Sequence, residues 1–533
     1  MKRHLAIVLL LVGVCQLRAD DSGLEWREFP SLVESAWHQC DFRSCQPRTL
    51  MKRRLPEGGT EWLVDAPGAE RPEDGYWLLR EPAWTPWLLT AKGAPGELTY
   101  DPKRTGVFDI VFNLRAVDPV CAFGVRLDDE SKFDIVRTSP TTRERNFNED
   151  VLWRRNVRLD GRKLVFKTVG ERLYLQGVTF LPQGHKPARR RVATDRVTVA
   201  RAAGRHHAFP GIARLADGTL AVVYRDGVAH VCPFGRILMV RSKDQGRTWS
   251  KPQVLIDTPS DERDPSIHTL PDGRVMVTFN TWNSWMSHPN LRAKYAEQTA
   301  RIEQDGLRAY TGRWMMLSND DGQTWDKPFR VSGFAPHGPM VLDSGEFRYP
   351  SCRTRGDRRQ VIIWHGSAGG REWKVGSIVG DCFWNPKRRN AVVTYEEPFL
   401  AIVGNGDWLT AVRVPHDGYI RVVRSTDEGK TWNRADKLSV RGFPQHLLTL
   451  RDKRLLMVYG YRYVPFGIRA VVSLDHGTTW NLDDEMVLAF DAPFSDVGYP
   501  VSVELDDGRV LTVYYTNADK PEACFIQAAI YRP

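Results

Sequence analysis

The chain has 533 residues, of which 42% are apolar and 26% charged, with a formal net charge of +10. That length exceeds one ordinary compact domain, and the balance excludes a disordered or collagen-like chain. The basic excess favours acidic partners by long-range attraction, but it is scattered, without a recognition helix or RNA-binding signature. Nucleic acid is therefore not an expected partner, whereas an anionic sugar fits.

The N-terminus reads as an export signal. Lys2, Arg3 and His4 precede an apolar run from Leu5 to Val14, and Leu17-Arg18-Ala19 offers a small residue for cleavage. Residues 1–19 are expected to be removed and the mature protein to be secreted or periplasmic. Val14 stands where lipidation of Cys15 would need a small residue, so simple secretion is the expectation. No later stretch is apolar for long enough to span a bilayer. Cys40, Cys45, Cys121, Cys232, Cys352, Cys382 and Cys524 remain; Cys40 and Cys45 are spaced to close a short loop. No spacing resembles a zinc site, and no metal or cofactor is expected.

Residues 20–190 carry alternating apolar stretches at 107–112 and 164–166 and read as a β-sandwich. Their tryptophans, including Trp62, Trp77, Trp84 and Trp87, suit core packing or a sugar-binding face. Residues 187–191 read as a basic linker, and residues 191–533 as a second domain.

That second domain is built on two repeats. Ser242-Lys-Asp244-Gln-Gly246-Arg-Thr248-Trp249 recurs in register at residues 318–325, 425–432 and 473–480. Its chemistry is that of a tight hairpin: Asp accepts bonds from backbone amides of the turn, Gly supplies an unusual dihedral, and Trp packs beneath. The second repeat is an apolar strand, a turn dipeptide and another apolar strand, as at Asp217-Gly218, Asp272-Gly273, Asn405-Gly406 and Asp507-Gly508, with a weakened copy at Arg451-Asp-Lys453. The alternation predicts six four-stranded blades beginning near Phe209, Asp264, Pro336, Glu397, Phe443 and Tyr499, the third without the Ser-Asp-Trp turn. Residues 196–200 are expected to supply the last blade's outermost strand.

In such an arrangement the residues before each blade's first strand ring one mouth of a central channel, opposite the turns. A proline follows that residue at Phe209, Asp264, Glu397, Phe443 and Tyr499, and is expected to hold it extended. Counting along the second strands brings Arg225, Asn280, Arg413 and Tyr515 to the same mouth, with Arg462 slightly further on. Glu396 and Glu397 compete for the inward position; register and the following proline favour Glu397. Arg263 and Asp264 are each candidates, or simply a mutual pair.

The four turns resemble the Asp-box, and residues 192–533 resemble the sialidase (neuraminidase) superfamily. The resemblance implies a six-bladed propeller in which Tyr499, within Asp496-Val-Gly-Tyr-Pro500, attacks an anomeric carbon, Glu397 takes its proton, and Arg413 and Arg462 hold a substrate carboxylate. The family's first blade opens with an arginine where this chain has Phe209-Pro-Gly-Ile212. Arg225, Arg263 or Arg205 are the substitutes the sequence offers. For the acid/base, Asp226 comes first and Asp264 second, and His206, His207 and His230 suggest a modified substrate pocket, with His230 as a binding residue. The expected function is exo-glycoside hydrolysis of a terminal acidic sugar. The alternatives are a non-catalytic carbohydrate-binding propeller and a hydrolase or lyase acting on uronate-containing polysaccharide.

Overall fold

The computed structural model describes residues 22–28, 50–54, 60–64, 77–81, 87–90, 97–116, 122–137, 147–168, 173–183, 189–355, 358–383, 395–414, 418–463, 465–518 and 523–533. Residues 1–19, Cys40, Cys45, Trp84 and Cys121 lie outside the described residues, as do the side chains of Trp62, Trp77 and Trp87. The described residues are all-β, with short helices between residues 284 and 310 and a single 3-10 turn at Leu482–Asp484. No helix among the described residues is long and apolar enough to cross a membrane.

Before residue 190 a four-stranded sheet and a larger sheet face one apolar cluster. Ile110, Phe112, Leu114 and Val178 enter it from the larger sheet, and Phe123, Val125, Leu127, Leu164 and Phe166 from the smaller. The inward positions recur every second residue, the period of a strand with one buried face. Phe466, Ala492 and Val497 join the same cluster and seat it on the rest of the molecule.

After residue 190 the strands form six sheets in chain order. Sheet one is His206–Arg214, Leu220–Gly227, Arg236–Ser242 and Gln253–Ile256; sheet two is Glu262–Thr269, Val275–Thr281, Gly312–Ser318 and Phe329–Arg330. Sheet three runs from Met340–Val341 to Trp373–Phe383, sheet four from Glu396–Ile402 to Asp436–Arg441, and sheet five from Gln445–Thr449 to Met486–Ala492. Sheet six is Gly498–Glu504, Val510–Asn517 and Cys524–Tyr531, completed by Arg196–Ala200 from the other end of the segment, the strand the sequence offers for it. Sheet five gains Arg189–Ala193, in parallel, and then Leu24–Glu28.

The first strands of sheets four, five, six, one and two pack side by side in that order. Sheets two and three meet through Met276, Met315, Leu317 and Phe347, and through a 3.2 Å hydrogen bond between Thr278 and Tyr349. Sheet three then packs on sheet four, which returns the contacts to their start. A cavity of about 230 Å³ is lined by Ile212, Ser266, Phe399, His446 and Val501 from the first strands of sheets one, two, four, five and six, and by His337 from the turn before sheet three.

The four repeated turns share one set of bonds. In the first, Ser242 Oγ donates to Asp244 and accepts from the Gly246 amide, while Asp244 accepts from the amide and hydroxyl of Thr248. The residue before each turn glycine also has a positive φ: Gln245 57°, Asp321 53°, Glu428 59° and His476 57°. Gln245 donates to Asp506, beside the Asp507-Gly508 turn, so both kinds of turn lie at one end of the sheets.

Candidate active site

At the opposite end, four residues that precede prolines share one backbone device. Phe209, Asp264, Glu397 and Tyr499 have φ of 56°, 47°, 44° and 49°. Strand pairing slips at each of these places, between Ala208 and Gly211, Arg263 and Ser266, Glu396 and Phe399, and Gly498 and Val501. The extended conformation expected before proline is therefore corrected. Proline lacks an N–H for the ladder, a bulge forms, and the preceding side chain is turned out of the strand's alternation. A non-glycine residue in this region costs of order 1–3 kcal/mol, and such strain gathers where a side chain's direction matters.

The bulges bring Tyr499 and Glu397 together. Tyr499 Oη donates to Glu397 Oε1 at 2.6 Å, and Arg413 donates to Glu397 Oε2 at 2.7 Å. Burial opposes ionisation of Glu397, but the Arg413 charge and hydrogen bond, with those of Tyr499 and Arg462 behind them, keep it below its ordinary value. Burial, then the Glu397 and Asp264 carboxylates, push the Tyr499 phenol well above its usual range. A neutral phenol thus lies against a carboxylate ready to take its proton. Glu396, one residue earlier, lines a cleft of about 530 Å³ with Glu397, Trp282, Arg313 and Arg359, and Asn280 opens onto the same cleft.

Arg413 and Arg462 flank this pair. Their guanidinium carbons lie 4.4 and 5.8 Å from the centre of the Phe443 ring, and Arg462 lies 5.9 Å from that of Tyr499. Arg462 donates to Val497 O at 2.8 Å and to Tyr515 Oη at 2.9 Å; Tyr515 in turn donates to Asp496 at 2.7 Å. Asp264 is buried nearby, its carboxylate 4.0 Å from Arg263 Nε, and burial pushes it up to about 6 against the pull of Arg263.

The remaining sequence candidates are engaged by partners of their own. Arg225 has no exposed side-chain surface and is bonded to Asp261 at 2.7 Å, to Ala229 O and to Cys232 Sγ. A Cβ at Gly235 would stand 1.8 Å from Asp261 and 2.7 Å from Arg225 Nε, so that position has room for glycine alone. Arg263 bonds Asp261 at 3.0 Å and lies 4.8 Å from the centre of the Phe209 ring. Asp226 belongs to a second cluster, held by Arg205 at 2.6 Å, Arg236 at 2.9 Å and His207 at 3.2 Å. Burial resists its ionisation, but these three partners hold it well below the ordinary carboxylate range.

Asp496 is the residue the sequence reading left without a role. Its carboxylate meets His206 Nε2 at 2.9 Å and His230 Nδ1 at 3.0 and 3.1 Å, besides Tyr515. With Cys524, His206 and Asp496 bring one possible metal-ligand atom each within 4.8 Å of one another. The nitrogen–oxygen separations, however, are those of N–H···O bonds, shorter than the roughly 3.3 Å between two ligands on one tetrahedral zinc ion. Asp496 stands three residues before Tyr499, and only that proximity marks it in the sequence.

Residues 295–513 match the family described as a BNR repeat-like domain, from the helical insertion of sheet two into the second strand of sheet six. No curated protein matches the sequence. A protein of unknown function from Dyadobacter fermentans is similar in structure at 24% identity, with a TM-score of 0.53, over 64% of this chain and 98% of that one. The NanB sialidase of Streptococcus pneumoniae matches at 10% identity and a TM-score of 0.48, over 81% of this chain and 97% of its own. An alpha-L-arabinanase of Penicillium chrysogenum matches at 14% identity and 0.42, over 63% and 98%.

Proposed function

We propose that the chain is a secreted exo-acting glycoside hydrolase of the sialidase type, its six sheets the blades of a propeller, its four Ser-Asp-Trp turns Asp-boxes, and Tyr499 its nucleophile. The observation that carries this reading is the 2.6 Å hydrogen bond from Tyr499 to Glu397, made by two residues that a strained bulge in separate sheets turns to one place. Free tyrosine titrates near 10, so its phenol is a poor nucleophile near neutrality unless a base removes the proton during attack. Glu397, kept ionised by Arg413, is that base. A neutral phenol also approaches an anionic sugar without the repulsion a carboxylate nucleophile would meet, an accepted departure from paired-carboxylate glycosidases. Arg413 and Arg462 form two arms of a carboxylate clamp. Arg225 and Arg263 both bond Asp261, but Arg225 is wholly enclosed whereas Arg263 lies over the Phe209 ring that packs on Tyr499, so Arg263 is the candidate for a third.

The test is release of 4-methylumbelliferone from sialic acid and uronic acid glycosides. Wild type is expected to release it from at least one of them. Tyr499→Phe is expected to abolish turnover, and Glu397→Gln to lower it roughly 10²–10⁴-fold, the usual worth of a positioned base. Equal rates for wild type and Tyr499→Phe, or sugar binding by wild type without release, would discard the hydrolase reading; the second outcome leaves a carbohydrate-binding propeller.

A further inference from the structure

The reaction above needs a group on the open side of the sugar that protonates the departing oxygen and later deprotonates water. Asp226 is occupied by Arg205, Arg236 and His207. Asp264 is buried within electrostatic reach of Tyr499 and Glu397, with 9% of its surface exposed. His230 differs from both. It stands on the loop at residues 228–235 between the second and third strands of sheet one, and 45% of its side chain is exposed. Its ring lies edge-on to Phe209 with centroids 5.5 Å apart, and Phe209 lies 4.8 Å from Tyr499 in the same sense.

The orientation of the imidazole is fixed. Asp496 remains a carboxylate, because the two histidines beside it outweigh the cost of burial and hold it well below its ordinary range. It can therefore only accept, so His230 Nδ1 donates to it. Nε2 is left as the nitrogen that exchanges protons, the arrangement by which a carboxylate selects the working tautomer of a histidine. The loop is held from both sides. Arg263 donates to the His230 carbonyl, and Arg225 bonds Ala229 O at 3.0 Å and Cys232 Sγ at 3.2 Å. Cys232 is sealed under Trp285, Tyr295 and Ile302 of the helical insertion. The buried Arg225–Asp261 pair thus positions this loop. The charged and titratable groups facing His230 are Asp496 and His206, whose ring centroid is 5.5 Å away, with Arg263 at its backbone and Asp264 within electrostatic reach.

We propose that His230, oriented by Asp496, is the acid/base of the reaction that Tyr499 begins; this assignment rests on Tyr499 being the nucleophile. In the first step Tyr499 Oη bonds to the anomeric carbon as the bond to the leaving oxygen breaks. The phenol proton passes to Glu397, and the proton on His230 Nε2 passes to the leaving oxygen. In the second step water attacks the anomeric carbon and gives a proton to His230 Nε2. The Tyr499–carbon bond breaks, and Glu397 returns the proton to Tyr499 Oη.

An acid is needed most where the leaving group is poor, so the experiment compares two leaving groups on the acidic sugar that wild type releases. His230→Ala and His230→Gln are expected to lose roughly 10²–10⁴-fold in kcat on the methyl glycoside. On the 4-methylumbelliferyl glycoside, whose phenol departs without assistance, the loss of the glycosylation step should be within about tenfold. Sodium azide, a nucleophile that needs no base, should restore turnover of the aryl glycoside and yield the glycosyl azide. Asp496→Asn should show the same dependence on leaving group to a smaller degree. Tyr499→Phe should be inactive on both substrates. Equal losses on the two leaving groups in the His230 variants, without azide rescue, would overturn the assignment while an inactive Tyr499→Phe leaves the nucleophile standing. Full activity in Tyr499→Phe would instead remove the premise.

Discussion

Asp264 and Glu397 are carboxyls near one phenol, yet their environments drive them apart. Burial dominates at Asp264 and pushes it up to about 6, whereas Arg413, in direct contact, holds Glu397 below its ordinary value. The folded chain therefore binds a proton at Asp264 more tightly than the unfolded chain does. The stability this contributes is complete below about pH 4 and is lost as pH rises through 6. At pH 7 the buried carboxylate costs up to about 3 kcal/mol, from a shift of roughly two pH units at about 1.4 kcal/mol each. Asp264→Asn is thus expected to raise the urea midpoint at pH 7 and to leave it nearly unchanged at pH 4; a variant no more stable at pH 7 would show that the carboxylate is better solvated than its surroundings imply. This residue was legible in the sequence because a proline follows it in the first strand of its sheet. The pairing of His230 with Asp496 was not, because 266 residues separate them and neither belongs to a repeat.

At the scale of single elements, the turns at one end and the bulges at the other divide the labour of each sheet. A Ser-Asp-Trp turn is closed by a serine hydroxyl that both donates and accepts: in sheet four, Ser425 Oγ donates to Asp427 at 2.7 Å and accepts from the Gly429 amide at 2.8 Å. Ser425→Ala leaves that buried amide without a partner, which costs about 1–3 kcal/mol. The expected result is a lower thermal midpoint with the proposed activity of the folded protein, its kcat and KM, unchanged, since the substrate is proposed to bind at the far end; a changed KM would contradict that division. The turns could be read from the sequence because their bonds are local and each needs a particular residue at a particular offset. One exception shows the limit of such reading: in sheet five Lys453, with φ of 73°, takes the place glycine fills in Asp217-Gly218, so the turn survives without its signature. The bulges were misread for a different reason. A proline usually forces its predecessor to extend, and only the pairing of whole strands overrides that local preference.

Across the whole molecule, the sheets converge on an interior that holds three imidazoles. His268 and His446 come from the first strands of sheets two and five and His337 from the turn before sheet three, and His268 Nε2, both nitrogens of His337 and His446 Nδ1 are buried without a hydrogen-bond partner among the described residues. Nothing in the spacing of these residues foretold their meeting, which depends on all the sheets being assembled. Burial lowers His268 and His337 to about 4, and burial together with the other two histidines takes His446 well below its ordinary value. Their neighbours include Phe399, 4.6 Å from His446, and Tyr499, 6.4 Å from His337, while Glu397 draws His337 the other way. Between about pH 6.5 and 4 the unfolded chain takes up protons that the folded chain refuses at these sites. The stability present above pH 6.5 is consequently lost as pH falls, by up to about 1.4 kcal/mol per pH unit for each histidine. This slope is opposite to that of Asp264, and with three groups against one it should dominate below neutrality. His446→Leu removes one contributor without breaking a hydrogen bond at Nδ1, and its apolar side chain suits a site beside Phe399. Urea unfolding at pH 7 and pH 5 should show wild type losing more stability than the variant over that interval. An identical loss in both would mean that the interior admits the charged imidazole, and that the converging strands leave it wetter than their packing indicates.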